Sequence, residues 1–263
     1  MRITTWNANS IRIREDALRR IAREIAPDVL CLQETKVPDD RFPRALAEEL
    51  GYRHMVLHGQ KAYNGVAVLS RLPLEDGEGI RWCGVDQCRH IRCLLPGGIE
   101  LHNFYIPAGG DVPDPDTNPK FRHKLEMLDE LTDWFAARRG DGARMILLGD
   151  LNIAPLETDV WNHRALLGVV SHTPVEVAAL GRLQEAYGFV DAVRRIVPPE
   201  RKLFTWWSYR ARDWSKSDRG RRLDHIWLSP ALAPALRDAH VRRDARGWDK
   251  PSDHVPVTVD LDL

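Results

Sequence analysis

The sequence predicts an α/β fold in which strands and helices form separate layers. The chain has 263 residues, 43% of them hydrophobic, which is enough to bury one sizeable core. Short β-rich apolar runs recur along the chain with amphipathic stretches between them, and this interleaving favours layered α/β architectures. Since no linker, repeat or low-complexity tract divides the chain, we expect one domain over residues 1–263.

Eight runs are short and apolar enough to be strands of a large sheet system. We predict strands at residues 3–7, 29–33, 66–69, 91–95, 101–106, 145–148, 223–228 and 255–261. The clearest helix ends before Gly140 and carries an apolar face of Phe121, Leu125, Leu128, Leu131 and Phe135. Two stretches, 107–119 and 207–222, look irregular, and long loops in a compact domain are often functional.

The charge balance, the amino-terminal segment and the cysteines limit the kinds of protein that this chain could be. Lys+Arg and Asp+Glu both number 38, so any basic surface must be local. The amino terminus runs directly into a strand pattern, and no apolar stretch approaches membrane-spanning length. We therefore expect a cytoplasmic protein with no membrane partner. The four cysteines form no C-x-x-C pair, and Cys31 lies in an apolar run, which disfavours a zinc site.

Polar side chains stand at the ends of three predicted strands. Asn7 ends the first, Glu34 follows the second, and Asp150 and Asn152 follow the strand at 145–148. Hard divalent cations such as Mg²⁺ prefer oxygen ligands of this kind. Each residue alone is equally well explained as a turn or backbone cap, so it is their combination that indicates a metal site at one sheet edge.

The segment Ser252-Asp253-His254 enters the last predicted strand. A serine-hydrolase triad is excluded, because three consecutive residues cannot fold onto one another and the chain has no G-x-S-x-G elbow. A cationic His254 beside a scissile phosphate would stabilise developing charge. Asp224 lies on another predicted strand, and its carboxylate could orient the His254 ring. Taken alone, either residue could be purely structural.

Six motifs, in this order, resemble the exonuclease III branch of the endonuclease/exonuclease/phosphatase superfamily. They are Trp6-Asn7, Leu32-Gln33-Glu34-Thr35-Lys36, Tyr105-Ile106-Pro107, Gly149-Asp150-Leu151-Asn152, Leu223-Asp224 and Ser252-Asp253-His254. The resemblance spans essentially the whole chain. It implies a four-layered α/β sandwich, with two packed mixed β-sheets flanked by helices and the site at one end. One departure is Ala108, where the family usually has Asn or Gln, so a side-chain contact there is open.

The resemblance implies a Mg²⁺ cofactor, for which Mn²⁺ is a possible substitute. Glu34 resembles the principal ligand, with Asn7 nearby, and Asp253 would complete the metal and hydrogen-bond shell. The candidate metal set is Asn7, Glu34, Asp150, Asn152, Asp253 and His254.

The same resemblance implies roles for five catalytic residues. Asp150 would orient or deprotonate the attacking water, and Asn152 would help to hold the water and a phosphate oxygen. Tyr105 and His254 would contact the phosphate, and Asp224 would pair with His254. A general base supplies roughly 3 to 5 kcal/mol of the ~20 kcal/mol by which the barrier must fall, so a cluster of charged groups is needed.

Residues 201–222 combine many cationic side chains with Phe, Trp and Tyr. This mixture suits contact with phosphates and stacking against an unpaired nucleotide. We expect Arg210, Trp214 and Trp207 to contact DNA, although some of these aromatics could instead belong to the core. Backbone contacts carry no base information, so recognition of ends or lesions is expected.

The expected activity is Mg²⁺-dependent 3′-to-5′ exodeoxyribonuclease action on duplex DNA, with abasic-site endonuclease and 3′-phosphatase activity. Its partner would be double-stranded DNA with 3′ ends or abasic sites, bound by a monomer. One alternative is a phosphoesterase of the same superfamily acting on inositol phosphates, lipids or small nucleotides, which the basic aromatic segment disfavours. Another is a DNA-binding module without activity, which the filled catalytic positions disfavour.

Overall fold

The computed structural model describes residues 1–211 and 213–263. Its first sheet contains β1 (Arg2–Asn7), β2 (Val29–Gln33), β3 (His54–His58), β4 (Val66–Ser70), β13 (Leu236–Val241) and β14 (Val257–Leu261). In space the order is β13-β14-β1-β2-β4-β3. β1 and β2 are parallel, and the other neighbours are antiparallel, so the sheet is mixed.

The second sheet is also mixed. It contains β5 (Glu75–Ile80), β6 (His90–Leu95), β7 (Ile99–Tyr105), β8 (Met145–Asp150), β9 (Val190–Asp191) and β12 (Asp224–Leu228). The order is β5-β6-β7-β8-β12-β9, with β7 and β8 parallel. A separate short hairpin pairs β10 (Trp206–Trp207) with β11 (Gly220–Arg221).

The described residues also form seven α-helices. They are α1 (Glu15–Glu24), α2 (Arg44–Glu49), α3 (Pro119–Ala136), α4 (His163–Leu166), α5 (Pro174–Tyr187), α6 (Ala192–Ile196) and α7 (Trp214–Ser217). Within these ranges no helix combines the length and apolarity needed to cross a membrane. Thr173 and Glu176 form a capping box at the start of α5, and Gly188, with φ +88°, ends it, as expected for a stable helix.

Alternation along β2 explains the layers. Val29 and Cys31 belong to the core between the two sheets, whereas Leu30 and Leu32 pack with α1 on the opposite face, because successive side chains of a strand point to opposite sides. On the outer face of the second sheet, apolar residues of α3 and α5 cover β8 and β12. The four predicted layers are confirmed.

The eight predicted strands all occur, but the other six strands of the described residues carry too weak a pattern to have been predicted: β3, β5, β9, β10, β11 and β13. β5 is the clearest case, since it is an exposed edge strand of sequence Glu-Asp-Gly-Glu-Gly-Ile. A Cβ at Gly77 or Gly79 would come within 2.4 Å of Val56 or 2.5 Å of His58, so glycine permits β5 to lie close to β3. The prediction that 207–222 is irregular was partly wrong, because α7 and β11 lie within it.

The strand registers gather the predicted site residues at one edge. β1 and β2 end together, with Asn7 opposite Gln33. β7 and β8 also end together, with Tyr105 opposite Asp150, and Asp224 begins β12 opposite the same Asp150. Parallel strands necessarily end at the same side of a sheet, so this edge collects the polar residues that follow them.

Candidate active site

The side-chain amide of Asn7 joins carboxylates that come from the two different sheets. Its Nδ2 donates to Glu34 Oε1 at 2.9 Å and to Asp150 Oδ2 at 2.8 Å. The Oδ1 atom accepts from the Asn9 backbone N–H at 2.9 Å, and the whole side chain is buried. The predicted convergence of these residues is therefore present in the fold.

Glu34 is held in a conformation that few residues adopt. Its φ is +49°, and a left-handed conformation of this kind persists only where the surroundings fix it, often at functional sites. Lys36 Nζ lies 2.8 Å from Glu34 Oε2. Burial raises the pKa of Glu34, but Lys36 and Asn7 outweigh that effect and lower it. Glu34 is thus an anion at neutral pH.

Asp150 and Asn152 form a compact turn at the end of β8. Asp150 Oδ1 accepts from the Asn152 backbone N–H at 3.0 Å, and Asn152 Nδ2 donates to Asp150 Oδ2 at 3.2 Å. Burial raises the pKa of Asp150, and neighbouring Asp224 and Glu34 add to the rise while His254 opposes it. The carboxylate is therefore more basic than an exposed aspartate.

Gly149 is required for this turn. Its φ is +134°, and a Cβ there would lie 1.9 Å from the carbonyl oxygen of Phe104. No side chain fits that contact. Glycine therefore allows β8 to lie beside β7 and brings Tyr105 level with Asp150.

His254 and Asp224 form a buried pair beside Asp150. His254 Nδ1 donates to Asp224 Oδ2 at 2.8 Å, and His254 Nε2 lies 3.6 Å from Asp150 Oδ2. Burial lowers the pKa of His254, but Asp224 and Asp150 outweigh it and raise the pKa to about 10. Thr205 Oγ1 accepts from the backbone N–H groups of Leu223 and Asp224, which fixes the start of β12. His254 is consequently cationic at neutral pH.

This charge state bears on the predicted metal ligands. A protonated imidazole has two N–H donors and no lone pair for a metal, so the structure favours His254 as a phosphate contact and disfavours it as a ligand. Asp253 accepts from Asn9 Nδ2 through Oδ1 and from Trp206 Nε1 through Oδ2, both at 2.9 Å. Both of its oxygens are engaged, which favours the hydrogen-bond shell over direct ligation.

Tyr105 lies at the rim of the same cluster. Beside it lies Arg89, a cationic side chain that the sequence analysis did not identify. The Arg89 guanidinium carbon lies 4.8 Å from the centre of the Tyr105 ring, and Arg89 Nη1 donates to the Tyr105 carbonyl at 3.2 Å. Burial raises the pKa of Tyr105, and Glu34 and Asp150 raise it further, so its hydroxyl stays protonated. Arg89 precedes β6 with no motif around it, and only the β6–β7 pairing brings it to the site.

The donor set fits a hard divalent cation. Oxygens of Asp150 and Asp224 lie within 4.8 Å of each other, with a nitrogen of cationic His254 at the same spacing, and Asn7 holds the Glu34 carboxylate beside Asp150. Asp224 Oδ1 is buried and has no hydrogen-bond partner. Several buried carboxylates with an unsatisfied oxygen create an excess of negative charge that Mg²⁺ or Mn²⁺ would neutralise.

A cleft of about 640 Å³ opens over the cluster. Its walls pair aromatic rings with guanidinium groups: Arg219 lies 4.8 Å from the Trp161 ring centre, and Arg221 lies 5.3 Å from that of Trp206. Arg210 is exposed and lines the same cleft, and its contact with DNA stays a prediction. Phosphates and unstacked bases both suit such walls.

The structure corrects the prediction that Trp207 contacts DNA. Trp207 is 1% exposed, and its Nε1 donates to Asp218 Oδ1 at 2.9 Å, so no face of the ring is free to stack. Trp206 lines the cleft instead. Trp214 is half-buried against Trp207, with ring centres 5.4 Å apart. Arg222, counted in the basic segment, is also buried and bonded to Asp159.

Residues 4–254 match the Endonuclease/Exonuclease/phosphatase family. Exodeoxyribonuclease III from Haemophilus influenzae is 33% identical over 268 residues, covering 98% of both chains. This chain belongs to the Endonuclease/Exonuclease/phosphatase family. Two solved structures of similar fold each cover 100% of both chains. An AP endonuclease from Archaeoglobus fulgidus has a TM-score of 0.92 at 33% identity, and a 3′ phosphatase, NExo, from Neisseria bound to a product DNA hairpin has a TM-score of 0.90 at 34% identity. The resemblance to the exonuclease III branch of the family is confirmed.

Proposed function

We propose that this chain is a metal-dependent DNA repair phosphodiesterase. Its activities would be 3′-to-5′ exodeoxyribonuclease, incision at abasic sites and removal of 3′ phosphates. The observation that carries the proposal is the Asn7 amide joining Glu34 to Asp150 at the floor of a cleft with basic aromatic walls. The whole-length similarity to an exodeoxyribonuclease III and to a 3′ phosphatase bound to DNA supports the same conclusion.

Glu34, with Asp150 next to it, would hold Mg²⁺. When bound, the cation would neutralise charge on the phosphate oxygens, and a hard cation suits that task. Asn7 keeps the two carboxylates at a fixed separation. Mn²⁺ has the same preference for oxygen ligands and would substitute.

Asp150 is the residue best placed to orient and deprotonate the attacking water. It is 1% exposed, and its raised pKa makes it a better proton acceptor than a surface aspartate. Asn152 is bonded to both oxygens of Asp150 through its backbone and side chain. The pair would therefore hold the water in line with the phosphorus, which contributes through alignment.

Negative charge grows on the phosphate oxygens as the water attacks. Cationic His254, fixed by Asp224, would donate to one of these oxygens through Nε2. The Tyr105 hydroxyl would contact another, with Arg89 stacked on its ring. Donors that are already oriented stabilise such charge without reorganising, and each is worth several kcal/mol, on the order of 3.

Arg210, Arg219 and Arg221 would bind the DNA backbone, and Trp206 and Trp161 would stack against a displaced nucleotide or sugar. These contacts favour substrates with an accessible 3′ end or an abasic site, where stacking is already lost. A DNA contact by half-buried Trp214 stays a prediction. The single domain, the monomeric state and the cytoplasmic location also stay predictions, which limited proteolysis, gel filtration and cell fractionation would check.

One assay tests the function directly. A 5′-end-labelled duplex with a single abasic site is incubated with the protein in Mg²⁺ and in chelator, beside a phosphoinositide substrate. We expect one incision product at the abasic site and a ladder from the 3′ end, both absent in chelator and with Asp150→Asn. Hydrolysis of the phosphoinositide without cleavage of DNA, or full activity of Asp150→Asn, would contradict the proposal.

A further inference from the structure

A buried ion pair whose members are not among the candidate metal ligands lies beneath the cleft floor. Lys124 of α3 and Glu176 of α5 are both 0% exposed, and Nζ lies 2.5 Å from Oε1. The surrounding faces of α3 and α5 are otherwise apolar, with Leu128 and Leu180 in the same core cluster. The interface between α3 and α5 therefore contains two charged side chains, although apolar packing alone could hold the helices together.

Each member of the pair also binds the backbone of a segment that lines the cleft. Lys124 Nζ donates to the Asn152 carbonyl at 2.9 Å and to the Ala108 carbonyl at 3.4 Å. Both oxygens of Glu176 accept from the Ser171 backbone N–H at 3.0 Å. Ala108, Asn152 and Ser171 all line the cleft, so one buried pair connects three of its segments.

Glu176 caps α5, but a cap needs no charged partner, and fold stability is a weak reason for burying Lys124 beside it. Desolvating two charges costs several kcal/mol per ion, roughly, and apolar residues of similar volume often serve a fold equally well or better. What apolar residues cannot do is bond the carbonyl and N–H groups that these loops present inward. The pair accordingly fixes the orientation of the peptide groups in these loops, which apolar packing alone would not fix.

We propose that Lys124 and Glu176 are positioning residues for phosphodiester hydrolysis, an inference that rests on the proposed function. Asn152 has φ +54°, and its N–H and Nδ2 both bond Asp150. Lys124 holds the carbonyl at the other end of the same residue. Loss of that bond lets the 152 peptide group rotate, and the Asn152 amide then moves away from the water that Asp150 orients.

The main test is the double variant Lys124→Met/Glu176→Gln, which removes both charges and keeps side-chain length. We expect a folded protein whose kcat on the abasic duplex falls by about 10- to 100-fold, since small misplacements cost that much. KM should change less than about threefold, because the cleft wall formed by Trp161 and Arg219 makes no hydrogen bond to the pair or to the segments that the pair holds. A kcat within twofold of the parent overturns the proposal.

A matched control separates positioning from general destabilisation. Phe135→Leu removes volume from the far end of α3, where Phe135 is 0% exposed and packs against Phe189. It should lower the melting temperature without changing kcat. If kcat falls in step with stability in both proteins, the pair is merely structural and the proposal fails.

Coupling to Asn152 gives a readout that a structural role would not produce. When the double substitution is added to Asn152→Ala, kcat should fall by less than about a further threefold, because the effects of residues that act through one another are not additive. Full additivity overturns the assignment. Should the double variant not fold, Glu176→Asp keeps the charge and shortens its reach, and we expect a fall in kcat of at least about fivefold. An unchanged kcat would again overturn the proposal.

The parent protein is assayed in parallel, which distinguishes two failures. An inactive parent removes the proposed function itself. An active parent with unaffected variants removes only the positioning role of Lys124 and Glu176.

Discussion

His254 donates through Nδ1 to Asp224 Oδ2 at 2.8 Å, and both side chains are at least 95% buried. The bond fixes the plane of the imidazole ring, and the ring then points Nε2 toward Asp150. A buried carboxylate behind a cationic histidine both orients it and keeps its proton. The pair therefore works as one unit at the cleft floor.

The first prediction concerns this unit. Asp224→Asn keeps the shape but removes the charge that stabilises the His254 cation, so kcat on the abasic duplex should fall by about 100-fold or more. Asp262→Asn is the matched control, because Asp262 is exposed and pairs with Arg237 at the surface. Steady-state kinetics measures both. Equal activity of the two variants would show that the His254 cation does not act on the phosphate.

The adjacent tryptophans should behave in opposite ways. Trp206→Ala removes a stacking surface and should weaken DNA binding by about tenfold, measured by fluorescence anisotropy in chelator. Trp207→Ala removes a buried ring and should lower the free energy of unfolding by about 3 to 5 kcal/mol in urea denaturation. Reversal of these two results would mean that the wrong ring had been assigned to the cleft.

Metal binding should be visible as thermal stability. Bound Mg²⁺ would relieve repulsion among the buried carboxylates, so the parent should melt at a higher temperature in Mg²⁺ than in chelator. Glu34→Gln should lose most of that increase and most of the catalytic activity. Glu78→Gln, which changes an exposed glutamate of β5, should retain both. A Mg²⁺-dependent shift that survives in Glu34→Gln would argue for a different ligand set.

Acid should destabilise the fold through two histidines remote from the cleft floor. Trp82 Nε1 donates to His90 Nδ1, His90 Nε2 donates to His102 Nδ1, and His102 Nε2 donates to Glu100 Oε1. Each accepting Nδ1 must be unprotonated. Burial lowers the pKa of both histidines, and their mutual repulsion lowers that of His90 further while Glu100 opposes the effect at His102.

The unfolded chain takes up these protons near pH 6.5, whereas the folded chain does not. Stability should therefore be complete above that pH and fall below it, by about 1.4 kcal/mol per pH unit for each histidine. Urea denaturation from about pH 7.5 down to about pH 5, on both sides of ~6.5, would measure how the free energy of unfolding changes with pH. His102→Gln should reduce this change. An identical slope in that variant would place the acid sensitivity elsewhere.

Residues at strand ends were predictable from sequence because the sheet itself gathers them. Asn7 and Asp150 end apolar strands and Glu34 follows one, and parallel strands such as β1 with β2 or β7 with β8 end at a common edge. The motif resemblance added their order and their roles. Neither source of information depends on contacts between distant side chains, which is why these positions were found.

Other residues depended on pairings that no local pattern shows. Trp206 and Trp207 alternate across one short strand, so one of them had to face inward, but their sequence does not say which. Arg222 looked like part of a basic surface until Asp159, 63 residues earlier, was found bonded to it. Arg89 has no motif around it, and β5 has no apolar alternation because it is an exposed edge strand.

The amide of Asn7 bonds one carboxylate from the first half of the chain and one from the second. A break in the exposed loop near Asp116 would leave Asn7, Glu34 and Tyr105 on one fragment and Asp150, Asp224 and His254 on the other. Neither fragment alone would hold a complete set of reacting groups. Cleavage of DNA by such halves would thus report their reassembly, as in a split-enzyme sensor.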